Sequence, residues 1–207
     1  MLNLIEALRP IQWIKNLSLF AAAILNGQLF NPLVLTESIF AFVTFCCLSS
    51  ASYLINDLVD INKDRLHPVK KYRPLARGAI SKKTAILTAI ILTVFGIFLA
   101  SEINSGFLII SIIFIFLQYS YSFFIKKKAI LDIIGIAFFF ILRAYAGEIA
   151  TGYHLPIWIL LAVIFLSLFI ASGKRRSELY NIGRGSRKAL ENYTKSLLNR
   201  SEEHTSE

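Results

Sequence analysis

Residues 33–64 read LVLTESIFAFVTFCCLSSASYLINDLVDINKD. The stretch is apolar to Ile55, and a helix of that length crosses a bilayer core of about 30 Å at about 1.5 Å per residue. It then turns at once into Asn56-Asp57-Leu58-Val59-Asp60-Ile61-Asn62-Lys63-Asp64. An apolar run that ends in three carboxylates predicts a membrane span with a polar site at its mouth.

Working outward, further apolar segments fall at 17–30, 84–100, 107–125, 131–149 and 157–173, so the expectation is an all-α integral membrane bundle of about six helices. The chain is 56% hydrophobic with a mean hydropathy of +0.61, more apolar than the wet surface of a soluble domain of 207 residues allows. Strands are not expected, because helices satisfy their own backbone polar groups in lipid and open sheets do not. No internal repeat or low-complexity tract stands out.

The net charge of +9 raises nucleic acid as a partner, and its distribution argues against one. Lys and Arg cluster before the first segment, between the second and third, between the fourth and fifth, and after the sixth. The connections at 26–37, 101–106 and 148–156 hold none. Of 22 basic residues, 21 then lie on one side and only Arg143 lies inside a span. This is the positive-inside pattern, and it places the N-terminus and the motif loops in the cytoplasm. Trp13 and Lys15 read as interface anchors, and the start lacks the small-residue cleavage site of a signal peptide. Ser81 before Lys82-Lys83 marks a helix start. Cys46 and Cys47, adjacent within a span, read as small buried hydrophobes without metal-type spacing.

On a helix Asp57, Asp60 and Asp64 share one face, and Asn56 widens the polar stripe. The carboxylates spread over roughly 10 Å. Hard oxygen donors of this kind suit Mg²⁺, which takes one or two carboxylates and completes its shell with water and substrate phosphate. An EF-hand is excluded, since its glycine and terminal glutamate are missing. The bland alternative is a solvated helix end whose acids balance Lys63 and Arg65. Against it stands the loop His67-Pro68-Val69-Lys70-Lys71-Tyr72-Arg73-Pro74-Leu75-Ala76-Arg77-Gly78, with Lys70, Lys71, Arg73 and Arg77 close behind the acids. Metal below and guanidinium groups above make a diphosphate clamp, with Arg73 and Arg77 able to grip phosphate oxygens bidentately.

The run Tyr53…Asn56-Asp57-x-x-Asp60-x-x-x-Asp64, then His67-Pro68 and Arg73-Pro74…Gly78, resembles the first Asp-rich motif of the UbiA superfamily of membrane prenyltransferases. Within it the chain is most similar to the decaprenyl-phosphate phosphoribosyltransferase branch. That likeness extends to Leu8-Arg9-Pro10-x-Gln12-Trp13-x-Lys15-Asn16, Tyr119-Ser120-Tyr121…Lys126…Leu131-Asp132, Leu142-Arg143-Ala144-x-Ala146-Gly147 and Gly173-Lys174-Arg175-x-x-Glu178-Leu179. The resemblance implies a helical bundle with a central cavity, Mg²⁺ dependence and a polyprenyl substrate in a bacterial inner membrane. It also implies about nine spans, so residues 1–199 are expected to be an incomplete domain. Residues 200–207 (RSEEHTSE) are expected to be a non-native tail, and 189–198 to begin a further helix.

Two transferase readings follow. An aromatic prenyltransferase takes a polyprenyl diphosphate and uses a second carboxylate pair. This chain has Asp132, but Ile136 stands four residues on. Phosphoribosyl transfer from phosphoribosyl diphosphate to a polyprenyl phosphate joins two anions and needs more cations, which Lys70, Lys71, Arg73, Arg77, Lys126, Lys174 and Arg175 supply. The sequence favours this second reading, with Asp57, Asp60, Asp64 and Asp132 as the catalytic carboxylates. Arg143, deep in a span where an arginine costs about 2.5–3.5 kcal/mol, is expected to turn inward toward phosphate or Asp132. Tyr119 and Tyr121 are candidate cavity residues, and His67 fits either a phosphate contact or a turn before Pro68. A small cation transporter is the third reading, disfavoured because the acids lie at one membrane face and not at the midplane.

Overall fold

The computed structural model describes residues 2–127 and 129–182, and all of these are helix or connection, with no strand among them. The α-helices are α1 (Leu2–Leu8), α2 (Ala21–Leu25), α3 (Pro32–Leu66), α4 (Lys82–Ser101), α5 (Ser105–Phe123), α6 (Ala129–Thr151) and α7 (Ile157–Ile182). Short 3-10 helices cover Pro10–Phe20, Lys70–Tyr72 and Ile125–Lys127. The residues divide into two compact units, 1–123 with 142–155 and 124–141 with 156 onward, each treated by itself. The expected non-native tail at 200–207 and the helix at 189–198 lie outside the described residues.

Among the described residues, four helices are long and apolar enough to cross a membrane: Pro32–Leu66, Lys82–Ser101, Ser105–Phe123 and Leu131–Thr151. Large apolar side chains line the outside of α4, where Leu87, Ile90, Ile91, Val94 and Phe98 are exposed, as a lipid-facing surface requires. The segment expected at 157–173 forms the apolar part of α7 (Ile157–Ile182).

The segment expected at 17–30 is built differently from a continuous α-helical span. Residues Pro10–Phe20 form a 3-10 helix, a short α turn follows, and Asn26 and Gly27 end it. The Asn26 side chain donates to the Ala22 carbonyl at 2.9 Å and to the His154 carbonyl at 3.0 Å, and Gly27 has φ +67°. Because a 3-10 helix rises about 2.0 Å per residue, Pro10 to Leu25 together extend about 30 Å.

Helix starts follow local chemistry. Asn31 caps α3 by accepting from the Leu33 amide at 3.2 Å, with Pro32 as the first helical residue. Ser81 caps α4 by accepting from the Thr84 amide at 3.0 Å, at the start the sequence indicates. Asn104 accepts from the Phe107 amide at 2.8 Å and also donates to the Ile149 carbonyl at 2.9 Å, tying α5 to α6.

The core is assembled from small residues and a few rings. Ala7, Ala51, Leu54, Leu75, Ile80, Ala85 and Ala89 form one buried cluster beneath the loop after α3, joining α1, α3 and α4. Such small side chains let membrane helices approach closely. Phe45 of α3 packs on Phe114 of α5 with ring centroids 4.6 Å apart and on Phe107 at 5.7 Å. A methyl group on Gly147 would lie 2.1 Å from the Leu19 carbonyl oxygen, so α6 meets the N-terminal segment at a distance only glycine permits.

Candidate functional site

At 35 residues α3 is roughly 52 Å long, well beyond the hydrocarbon thickness, so its last three turns project past the apolar stretch. The helix runs unbroken through Asp57, Asp60 and Asp64. Asp57 and Asp64 are 2% and 4% exposed, while Asn56 and Asp60 are half-buried. Buried carboxylates of this kind require partners.

Those partners are arginines. Arg73 NH1 donates to Asp57 Oδ1 at 3.1 Å and to Asp64 Oδ2 at 2.7 Å, bridging the two acids. Arg9 NH2 donates to the same Asp57 Oδ1 at 2.5 Å, and its guanidinium lies over the Tyr53 ring, 5.2 Å from the centroid. Both arginine side chains remain a quarter exposed. The loop that delivers Arg73 is fixed at several points. His67 Nδ1 accepts from the amides of Val69 and Lys70 at 3.1 and 3.2 Å, which gives the histidine its turn role. Arg65 Nε donates to the Ala76 carbonyl at 3.1 Å, and Leu75 is buried in the core cluster.

Arg77 goes elsewhere. It donates to Asn3 Oδ1 at 2.9 Å and to Glu6 Oε2 at 2.7 Å, holding α1 against the loop at an exposed position. Of the two arginines read as phosphate grips, the fold brings only Arg73 onto the acids. Lys70 is half-buried and Lys71 exposed.

Deeper in the same unit Arg143 is 3% exposed and does turn inward. Its Nε donates to Asn16 Oδ1 at 2.8 Å, NH2 reaches Ser49 Oγ at 3.4 Å, and the guanidinium stands 4.9 Å from the Phe114 centroid. Asn16 also donates to Cys46 Sγ at 3.3 Å, so the buried cysteine packs as a small side chain. Tyr119 shares a 2.8 Å hydrogen bond with Thr93, clasping α5 to α4, and Tyr121 is half-buried. In the second unit Lys126 and Asp132 are both buried, the latter in the first turn of α6. Lys174 and Arg175 fall on α7, with side chains outside the described residues.

Arg9 and Asn16 carry no role in the reading of the sequence, although both stand in its N-terminal motif. An arginine directly before a proline and an apolar run is the only linear signal for the first. Its placement depends on a backbone conformation, φ 56° and ψ 61°, that no residue pattern announces. Arg9 is the one non-glycine among the described residues with positive φ, which costs roughly 1–2 kcal/mol.

Among the described residues no group of three His, Cys, Asp or Glu side chains is gathered as a metal cluster. Mg²⁺ does not need one. One or two carboxylates suffice when phosphate and water complete the shell, and Asp57 with Asp64 or Asp60 meets that donor requirement. The donor set therefore fits the ion, on condition that the arginines yield their carboxylate oxygens.

The fold and this site define a polytopic helical membrane protein with an acidic, arginine-covered cluster at the end of a long span. The UbiA prenyltransferase family model matches residues 17–174, and the chain belongs to that family. It is 39% identical over 203 residues to a decaprenyl-phosphate phosphoribosyltransferase of Mycolicibacterium smegmatis, covering 95% of this chain and 64% of that protein. It is 40% identical to one from Corynebacterium glutamicum, again over 95% of this chain and 61% of the relative. The chain thus spans less than two thirds of the length of these relatives. Among solved structures, a UbiA homolog from Archaeoglobus fulgidus bound to GPP and Mg²⁺ superimposes with a TM-score of 0.82 at 24% identity, covering 99% of this chain and 72% of that one. The same homolog bound to DMAPP and Mg²⁺ gives 0.80 at 25% identity, covering 98% and 75%. These likenesses establish the fold.

Proposed function

We propose that the chain is a Mg²⁺-dependent membrane transferase that moves phosphoribosyl from phosphoribosyl diphosphate to a polyprenyl phosphate such as decaprenyl phosphate, for cell-envelope polysaccharide synthesis. The observation that carries the reading is the pairing of buried Asp57 and Asp64 under Arg73 at the mouth of α3, in a chain about 40% identical to named phosphoribosyltransferases.

In this reading Asp57, Asp60 and Asp64, with Asn56 beside them, hold the metal. When bound, Mg²⁺ neutralises the diphosphate of the donor and favours its departure. Arg73 binds the diphosphate oxygens as it leaves the carboxylates, with Lys70 and Lys71 on the rim of the site. The bond from the ribose anomeric carbon to the diphosphate breaks through an oxocarbenium-like state, and a bond to the lipid phosphate oxygen forms. The side chains contribute mainly position and charge, and no enzyme nucleophile is needed. Lys126, Arg143, Lys174 and Arg175 are assigned to the anionic substrates, Asp132 to the catalytic set, and Tyr119 and Tyr121 to the cavity wall. The protein sits in a bacterial plasma membrane with its N-terminus and motif loops cytoplasmic, in keeping with the basic residues of those loops.

The test is transfer of label from phosphoribosyl diphosphate to polyprenyl phosphate by the chain in liposomes. Label should enter the lipid with Mg²⁺ and not after chelation, and Asp57→Asn and Asp64→Asn should each lower the rate at least about 100-fold. Transfer of a prenyl group from a polyprenyl diphosphate to an aromatic ring, without ribosyl transfer, would instead establish the aromatic prenyltransferase.

A further inference from the structure

The N-terminal segment brings to the acidic site a cation that membrane anchoring does not require. Arg9 is flanked by ties to α3 on both sides. The Leu8 carbonyl accepts from Ser50 Oγ at 3.0 Å, and Ser50 Oγ accepts from Trp13 Nε1 at 3.0 Å. These ties hold the residue in its left-handed conformation. An arginine that served only the membrane interface could extend into water from a relaxed backbone. Instead its guanidinium folds across Tyr53 onto the one Asp57 oxygen that Arg73 already uses.

Five N–H donors converge on no more than one acceptor there, and a quarter of the side chain stays open to solvent. Two guanidiniums, of Arg9 and Arg73, meet on Asp57, and Arg73 reaches Asp64 as well. A divalent cation on these carboxylates would compete with the guanidiniums and add a place for an anion. The guanidinium of Arg9, whose acceptor is Asp57, would then need a new one.

We propose that Arg9 is a donor-binding residue stored on Asp57, where it and the metal are alternative partners of one carboxylate. On donor binding its guanidinium leaves Asp57 for the diphosphate oxygens. This rests on the metal-and-diphosphate reading above and adds a consequence. Free Mg²⁺ must compete with Arg9 for Asp57, whereas a metal–diphosphate complex offers the displaced guanidinium a new acceptor, so the site selects the complex over the bare ion.

Calorimetry on the full chain in nanodiscs, first with MgCl₂ alone and then with inorganic diphosphate in the presence of MgCl₂, separates the possibilities. The comparison is between the unmodified chain, Arg9→Gln and Arg9→Gly. The glycine variant removes the side chain and relaxes the positive φ. Both variants should bind diphosphate about tenfold more weakly or worse, and Mg²⁺ alone more tightly. A structural role would not move the two affinities in opposite directions. Unchanged diphosphate affinity, or a fall in both affinities together, overturns the role of Arg9 while leaving the functional reading in place. Absence of Mg²⁺-dependent diphosphate binding by the unmodified chain overturns both.

Discussion

Arg73 holds two buried carboxylates with one nitrogen, an arrangement whose energetics depend on keeping the set complete. Removing the guanidinium takes that partner from buried Asp64 and leaves Asp57 to Arg9, the costly half of a broken buried pair. Arg73→Gln should therefore destabilise the folded chain by about 2 kcal/mol. A double-mutant cycle with Asp64→Asn, followed by thermal unfolding in detergent, should recover a coupling of at least about 1 kcal/mol between the two positions. Additive effects would show that the bridge contributes nothing. The carboxylate face was legible, because three acids at helical spacing beside an apolar run need a shared purpose. The partner of each acid was not. Arg73 and Arg77 have equal standing in the linear chain, and only the turn made by His67 and the burial of Leu75 send one to the acids and the other to Glu6.

At the scale of elements, the long helix α3 is the frame to which the N-terminal segment and the following loop attach. The N-terminal segment is a 3-10 helix where an α-helical span is expected, because composition reports apolarity and not pitch. Asn16 within it reaches Arg143, and Leu19 meets Gly147 at backbone contact distance. A methyl group placed 2.1 Å from the Leu19 carbonyl must displace backbone, not a pliant side chain. Gly147→Ala should accordingly lower stability by roughly 1–3 kcal/mol, seen as a fall in the unfolding temperature without loss of membrane insertion. An unchanged temperature would mean that the N-terminal segment shifts freely on α6.

For the whole molecule, basic connections alternate with connections that hold no lysine or arginine, and this predicts a side for each helix end. Cysteines placed singly at Lys71 and Ser101, in a chain with Cys46 and Cys47 replaced by alanine, should react with a membrane-impermeant maleimide from opposite sides. Inverted vesicles should label the first and intact cells the second. Labelling of both from one side would overturn the topology and the cytoplasmic location of the acidic site.

The residue order alone determined the helical membrane class, the boundaries of most apolar segments and the acidic motif. Each of these depends on transfer of side chains between water and lipid, a property that adds up along a chain. The tertiary structure decided which cations meet which acids, that Arg9 joins the site, and that Arg143 is met by Asn16 and Ser49. Those outcomes depend on backbone conformation and on contacts between residues up to 127 positions apart, and no sum over neighbours contains them.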